Sequence, residues 1–188
     1  MQKRLAEIID YIEGARGRLL EAATGVNPSL AEIRPHRGSW CVTEILMHLA
    51  MTEELVARII SRSVSLGREQ AVGPETSQES LLSSLDKYSI AESPTALTAP
   101  ERITPPRDVT MEQALGALDA SRRALREALR DADGMDLGAI TRQHPVLGEL
   151  TIYQWALFVG QHEERHARQI QRTLRDVTES AAESAPIL

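Results

Sequence analysis

The sequence predicts an all-α protein built as a four-helix bundle, and three observations carry that expectation. Ala, Leu, Glu and Arg, all good helix formers, are abundant, while aromatic residues make up only 3% of the chain. Apolar residues recur at spacings of three and four in four separate segments. No segment alternates apolar and polar residues in the manner of a strand. At 188 residues the chain suits one compact domain with a single core, assigned to residues 1–178, with 179–188 as a loose, Ala- and Ser-rich tail.

The first helix is expected from about Gln2 to Ala23, with Leu5, Ile8, Ile12, Ala15, Leu19 and Ala22 forming its stripe. Thr24-Gly25 and Asn27-Pro28 follow as stop signals. The second is expected from Val42 to about Ser65. Its entry, Cys41-Val42-Thr43-Glu44, has capping-box spacing with Cys in the place of Ser, and Trp40 is placed to staple against Ile45. A weakly apolar stretch from Leu66 to Asp108 then carries Gly73-Pro74, Ser93-Pro94, Pro100 and Pro105-Pro106, with a short helix around Gln78 to Tyr88. A connection of this length inside a compact domain reads as a crossover over one end of the bundle. Thr110-Met111-Glu112-Gln113 caps the third helix, which bears Met111, Leu115, Leu118, Leu125 and Leu129 and ends before Gly134. After a loop through Gln143 to Leu150, Thr151-Ile152-Tyr153-Gln154 caps a fourth helix that runs to about Asp176 or Val177.

The formal charge of −6 removes any global basic field for a nucleic-acid backbone. Arg122, Arg123, Arg126 and Arg130 cluster, but Asp119, Glu127, Asp131 and Asp133 interleave with them, so a solvated face of i,i+4 ion pairs is expected. Cys41 is the one cysteine, which excludes an intramolecular disulfide and a thiolate cluster within one chain. The N-terminus lacks a signal-peptide core, and the best apolar run, Trp155 to Val159, is too short for a bilayer. The expectation is therefore a cytoplasmic protein with a small-molecule substrate, without nucleic-acid or membrane partners. A homodimer is left open.

The chemistry is expected at the histidines. His162 and His166 stand four apart, so their rings project from one helix face about a turn apart. Heptad positions before and after them are Ile152, Trp155, Val159, Ile170, Leu174 and Val177, which puts the pair on the core stripe. His48 occupies a matching inward position on the second helix, among Cys41, Ile45, Thr52, Leu55 and Ile59. Three neutral imidazoles suit Zn²⁺, Ni²⁺, Co²⁺ or Fe²⁺ better than Mg²⁺ or Ca²⁺, and zinc or nickel is expected. Structural zinc is generally closed by four protein ligands, so three leave a position for water, a thiol or a substrate. Glu44, Glu163 and Glu164 are candidates to orient imidazoles or move protons. His36 reads as a surface loop residue. His144 is placed at the bundle mouth, outside the coordination sphere. His162-Glu163-Glu164-Arg165-His166 formally matches H-E-x-x-H, but the zincin downstream ligand is missing, so a metallopeptidase is the least favoured reading.

Three stretches together resemble the DinB-like family of small metal-binding helical bundles. They are Ser39-Trp40-Cys41-Val42-Thr43-Glu44-Ile45-Leu46-Met47-His48-Leu49, Ala99-Pro100-Glu101 through the prolines into Thr110, and Gly148-Glu149-Leu150-Thr151 leading to His162-Glu163-Glu164-Arg165-His166-Ala167-Arg168-Gln169-Ile170. The resemblance implies a four-helix bundle with a long crossover between its second and third helices. It also implies a metal held by His48, His162 and His166. Cys41 departs from the more usual Ser. The better understood relatives it implies are thiol-dependent transferases and isomerases, in which the metal activates a low-molecular-weight thiol such as bacillithiol or mycothiol; others are regarded as metal-dependent hydrolases. The expected function is thus activation of a small thiol, or water, for attack on a small electrophile. The alternatives are a non-catalytic metal module with a structural, sensing or protein-interaction role, and a purely hydrogen-bonded histidine cluster.

Overall fold

A computed structural model describes residues 1–24, 27–92 and 100–183. Four long helices form the bundle: α1 (Lys3–Thr24), α3 (Val42–Glu69), α4 (Met111–Asp131) and α5 (Ile152–Glu183). A one-turn helix α2 (Pro28–Ala31) follows α1 where the sequence reads as a stop; Asn27 caps it by accepting the Ser29 N–H at 3.0 Å, and Pro28 opens it. The capping boxes at Thr110 and Thr151 form as expected, each hydroxyl and the Gln three residues on exchanging bonds of 3.0–3.2 Å with the backbone. At Cys41 the backbone N–H reaches Glu44 Oε2 at 3.1 Å.

Two apolar clusters define the helix directions. One gathers Leu5, Ile8 and Ile12 of α1 with Val56, Ile60 and Val64 of α3, Leu125 and Leu129 of α4, and Ile152 to Val159 of α5. The other gathers Leu19, then Val42 to Ala50, then Ala114 and Leu118, then Ala167, Ile170 and Leu174. Early α1 and early α5 therefore share one end with late α3 and late α4. α1 and α5 run one way, α3 and α4 the other, which is why a long return segment must join α3 to α4.

The described residues of that segment do not pass over one end of the bundle, as the sequence suggested, but run lengthwise along α5. It starts beside the end of α4, where Glu75 N–H bonds Gly134 O, and beside α1, where Arg4 bonds Glu79 O. A 3-10 turn (Leu82–Tyr88) buries Leu85. Gln154 then bonds Ser84 O and Arg168 bonds Ala91 O, points about 21 Å apart at 1.5 Å per residue. A second 3-10 turn (Glu101–Ile103) arrives over early α3. The expected Ser93-Pro94 break lies outside the described residues.

Two short strands were not foreseen. β1 (Thr141–His144) and β2 (Gly148–Thr151) pair antiparallel, with Thr141 opposite Thr151 and His144 opposite Gly148. At four residues each they are too short to show an alternating pattern, and Gly148 at φ +79° supplies the left-handed position that the three-residue turn requires. α5 also runs beyond Val177 to Glu183, so it enters the span expected to be tail; residues 184–188 lie outside the described set.

Between the two clusters lies a neutral ionic layer. Arg16 reaches Glu163 Oε1 at 2.8 Å and Glu53 Oε2 at 2.6 Å; Arg122 reaches Glu53 Oε1 at 2.6 Å and Glu163 Oε1 at 2.9 Å. Ser121 donates to Glu53, and the spare guanidinium donors bond Leu118 O and Ile12 O. This corrects the expected solvated face: Arg122 is buried, whereas Arg123 is exposed and forms the expected pair with Asp119. Removing one partner of a buried pair strands the opposite charge, so Arg122→Ala is expected to cost about 3–5 kcal/mol. Arg123→Ala should stay within about 1 kcal/mol. Urea unfolding of both variants checks the contrast, and similar losses would contradict the buried layer.

Candidate metal centre

α3 and α5 face each other just above the ionic layer, and their inward positions place His48, His162 and His166 together. One ring nitrogen from each lies within 4.8 Å of the others. Among the described residues no carboxylate or thiolate joins this group. All three rings are nearly buried, His162 being the most exposed at 9%. The centroids of His48 lie 5.3 Å from His162 and 5.1 Å from His166.

Hydrogen bonds set the direction of two rings. His48 Nδ1 lies 2.8 Å from Ile103 O, a pure acceptor, so Nδ1 carries the proton and Nε2 presents a lone pair. His166 Nδ1 lies 2.7 Å from Gln169 Oε1, which leaves its Nε2 bare in the same way. That Nε2 faces His162 Nε2 at 3.1 Å. Trp40 packs 4.9 Å from His48, and Phe158 stacks on His162 at 5.0 Å. Trp40 thus lies against the histidine as well as in the cluster that holds Ile45.

Tetrahedral ligands at about 2.05 Å from an ion sit about 3.3 Å apart. The His162–His166 nitrogens, 3.1 Å apart, lie near that spacing, and all three ring nitrogens lie within 4.8 Å of one another. Neutral nitrogen donors, two with the outer nitrogen held by an oxygen, fit a borderline transition ion well.

The other candidates sit elsewhere. Glu163 is turned into the ionic layer, and Glu164 pairs with Arg18 at 2.5 Å. Glu44 pairs with Arg34 and caps α3. None of the three orients an imidazole. His36 is exposed, as expected. His144 Nδ1 accepts the N–H groups of Val146 and Leu147 at 3.2 and 3.1 Å, so it closes the hairpin. Its ring also lies 4.8 Å from Phe158, one aromatic step from His162. Sequence reasoning missed Ile103 and Gln169 as partners of the histidines. Gln169, three residues after His166 on the same face, was legible as such a partner; a backbone carbonyl from a distant turn was not.

A family model, the DinB superfamily, matches residues 11–170. The chain belongs to the DinB superfamily. It is 26% identical over 147 residues to YuaE of Bacillus subtilis (strain 168), a protein described as uncharacterized, covering 78% of this chain and 84% of YuaE. The solved structure of TT2238, described as a four-helix bundle protein, superposes with a TM-score of 0.61 at 20% identity, covering 89% of this chain and 98% of that one. The second likeness supports the fold alone. No helix among the described residues is long and apolar enough to cross a membrane.

Burial keeps these imidazoles neutral. It lowers His144 to about 4 and His166 to about 3, and it lowers His48 and His162 as well. An unfolded imidazole titrates near about 6.5, so between that value and the folded values the unfolded chain binds more protons. Stability from these groups is full above about pH 6.5 and is lost as pH falls towards about 4. Melting curves of metal-free protein should show this acid decline, with a shallower slope in His144→Asn. A melting temperature constant across that window would count against it.

Proposed function

We propose that this protein is a metal-dependent enzyme in which His48, His162 and His166 hold one divalent transition ion, zinc or nickel, and leave the rest of its coordination to a small molecule. The observation that carries this reading is the convergence of three neutral imidazoles, two of them with the outer nitrogen anchored on an oxygen acceptor. Bound there, the ion supplies Lewis acidity that makes a thiol or water nucleophilic near neutral pH. Trp40 and Phe158 flank the imidazoles with apolar surface and limit access of bulk water. Ile103 O and Gln169 fix the tautomers of His48 and His166, so each presents a bare Nε2.

The carboxylates bear on the choice of reaction. A zincin-type peptidase needs the Glu of H-E-x-x-H at the ion, and Glu163 is instead engaged by Arg16 and Arg122. Activation by the ion itself, as in thiol transfer to an electrophile, requires no such base. The family resemblance favours a small thiol as nucleophile, with hydrolysis as the neighbouring possibility. The depth of the site favours a second reading, an ion kept for stability or sensing.

Metal analysis of purified protein tests the first step. Alanine at His48, His162 or His166 is expected to reduce bound metal sharply, and alanine at His36 to leave it unchanged; undiminished metal in all four overturns the assignment. Gln169→Leu should retain the fold and weaken metal affinity about tenfold or more, read by chelator competition. Thiol consumption with an electrophile, above that of metal-stripped protein, separates an enzyme from a structural ion. The latter would give only a lowered melting temperature on chelation.

A further inference from the structure

The outer face of the bundle carries an open groove between α3 and α4, with a volume of about 570 Å³. Ala57, Ala124 and Ala128 line it, and their short side chains leave its floor unfilled. Glu54, at the edge of the groove, projects about 120° round α3 from His48. The groove is therefore separate from the histidines and is formed with or without an ion at them.

The two walls carry opposite charge patterns. On α3, Glu54 is followed at intervals of four by Arg58 and Arg62. On α4, Arg123 is followed at the same intervals by Glu127 and Asp131. The signs on one wall are the inverse of those on the other. Their levels also match, because α3 and α4 run in the same direction. Glu53 meets Ser121 and Arg122 across the helix pair, and Arg68 meets Asp131 further along. Arg62 and Glu127 lie between those links, at about one level. Several of the neighbouring charges are already partnered: Arg58 holds Glu54 at 2.7 Å, Arg123 holds Asp119, and Arg68 holds Asp131 at 2.8 Å. Arg62 and Glu127 differ from these. Both are exposed, both line the groove from opposite walls, and neither makes an ion pair among the described residues.

Two walls of inverse pattern make a self-complementary surface. A two-fold axis parallel to the helices lays the α3 wall of one copy against the α4 wall of the other, level with level, and does so twice. Arginine stems are long enough to lie over the alanine floor of the facing groove while their guanidiniums reach its acidic wall. We propose that two copies of this chain associate through the α3–α4 groove, with Arg62 of each copy meeting Glu127 of the other. The homodimer that the sequence leaves open thereby acquires a surface and an orientation. The side of α3 that faces α5, where the histidines lie, stays outside that interface.

Sedimentation equilibrium of the full chain at low ionic strength tests the pairing. The wild type is expected to dimerise with concentration, and its dissociation constant to rise as salt is added. Arg62→Glu and Glu127→Arg should each weaken association about tenfold or more, since two-fold symmetry makes every reversal act twice. The double variant R62E/E127R restores opposite charges and should return the constant to near the wild-type value. Both positions are exposed, so all three variants should melt with the wild type. A wild type that stays monomeric at every concentration up to millimolar, its groove empty or kept for another protein, overturns the proposal. A dimer whose affinity survives both single reversals also overturns it, because the contact then lies on another face. A double variant as weak as the single ones does the same.

Discussion

The structure depends on the registry imposed by one buried, charge-neutral layer. Arg16, Glu53, Arg122 and Glu163 come one from each long helix, and each guanidinium bridges both carboxylates. Leu and Ala packing tolerates small slips of one helix past another. A lattice of directional charged hydrogen bonds in a dry core does not, because any slip leaves a charge without its partner. His162 directly precedes Glu163, and His48 stands five residues before Glu53. The layer therefore fixes where the two helices present their imidazoles. Gly160 works to the same end: an added Cβ would lie 2.5 Å from the Tyr11 ring, so the glycine sets how closely α1 approaches α5 two residues before His162.

The imidazoles face a different demand. Burial opposes protonation, yet each neutral ring still has one donor and one acceptor to satisfy. His48 and His166 satisfy the donor on Ile103 O and Gln169, which leaves the Nε2 of each as an acceptor. A proton on His162 Nε2 satisfies His166 Nε2 at 3.1 Å. Three imidazole nitrogens gathered within 4.8 Å of one another are a donor set that a cation would fit, a physical reason independent of any family likeness.

Much of this was legible in the sequence. The stripe spacing gave the four helices, the boxes at Thr110 and Thr151 their starts, and inward positions of His48, His162 and His166 the cluster. The chain's path between helices was less visible. A lengthwise crossover and an end-crossing one have the same composition, and Thr141–His144 with Gly148–Thr151 carries no period-two pattern. The ionic layer was misread for a clear reason. Arg122 and Arg123 are adjacent and chemically identical, and only the helix face decides that one is core and the other solvent. Arg122 falls between Leu118 and Leu125, and Glu163 between Val159 and Ile170, so the face was encoded. The usual expectation that charges stay wet outweighed it.

The segment from Gln161 to His166 shows how one turn and a half of helix separates roles by angle alone. His162 and His166 look across to α3. Glu163, about 100° away, looks into the ionic layer, and Glu164 looks out to Arg18. Gln161 and Arg165 lie on the same side of the helix as Gln154 and Arg168, which bond Ser84 O and Ala91 O. A string match to H-E-x-x-H treats neighbouring letters as one site, yet here the first Glu belongs to the scaffold. Because the scaffold consumes the carboxylates, the centre is left with neutral donors. That depletion is a consequence of the same layer that holds the helices in place.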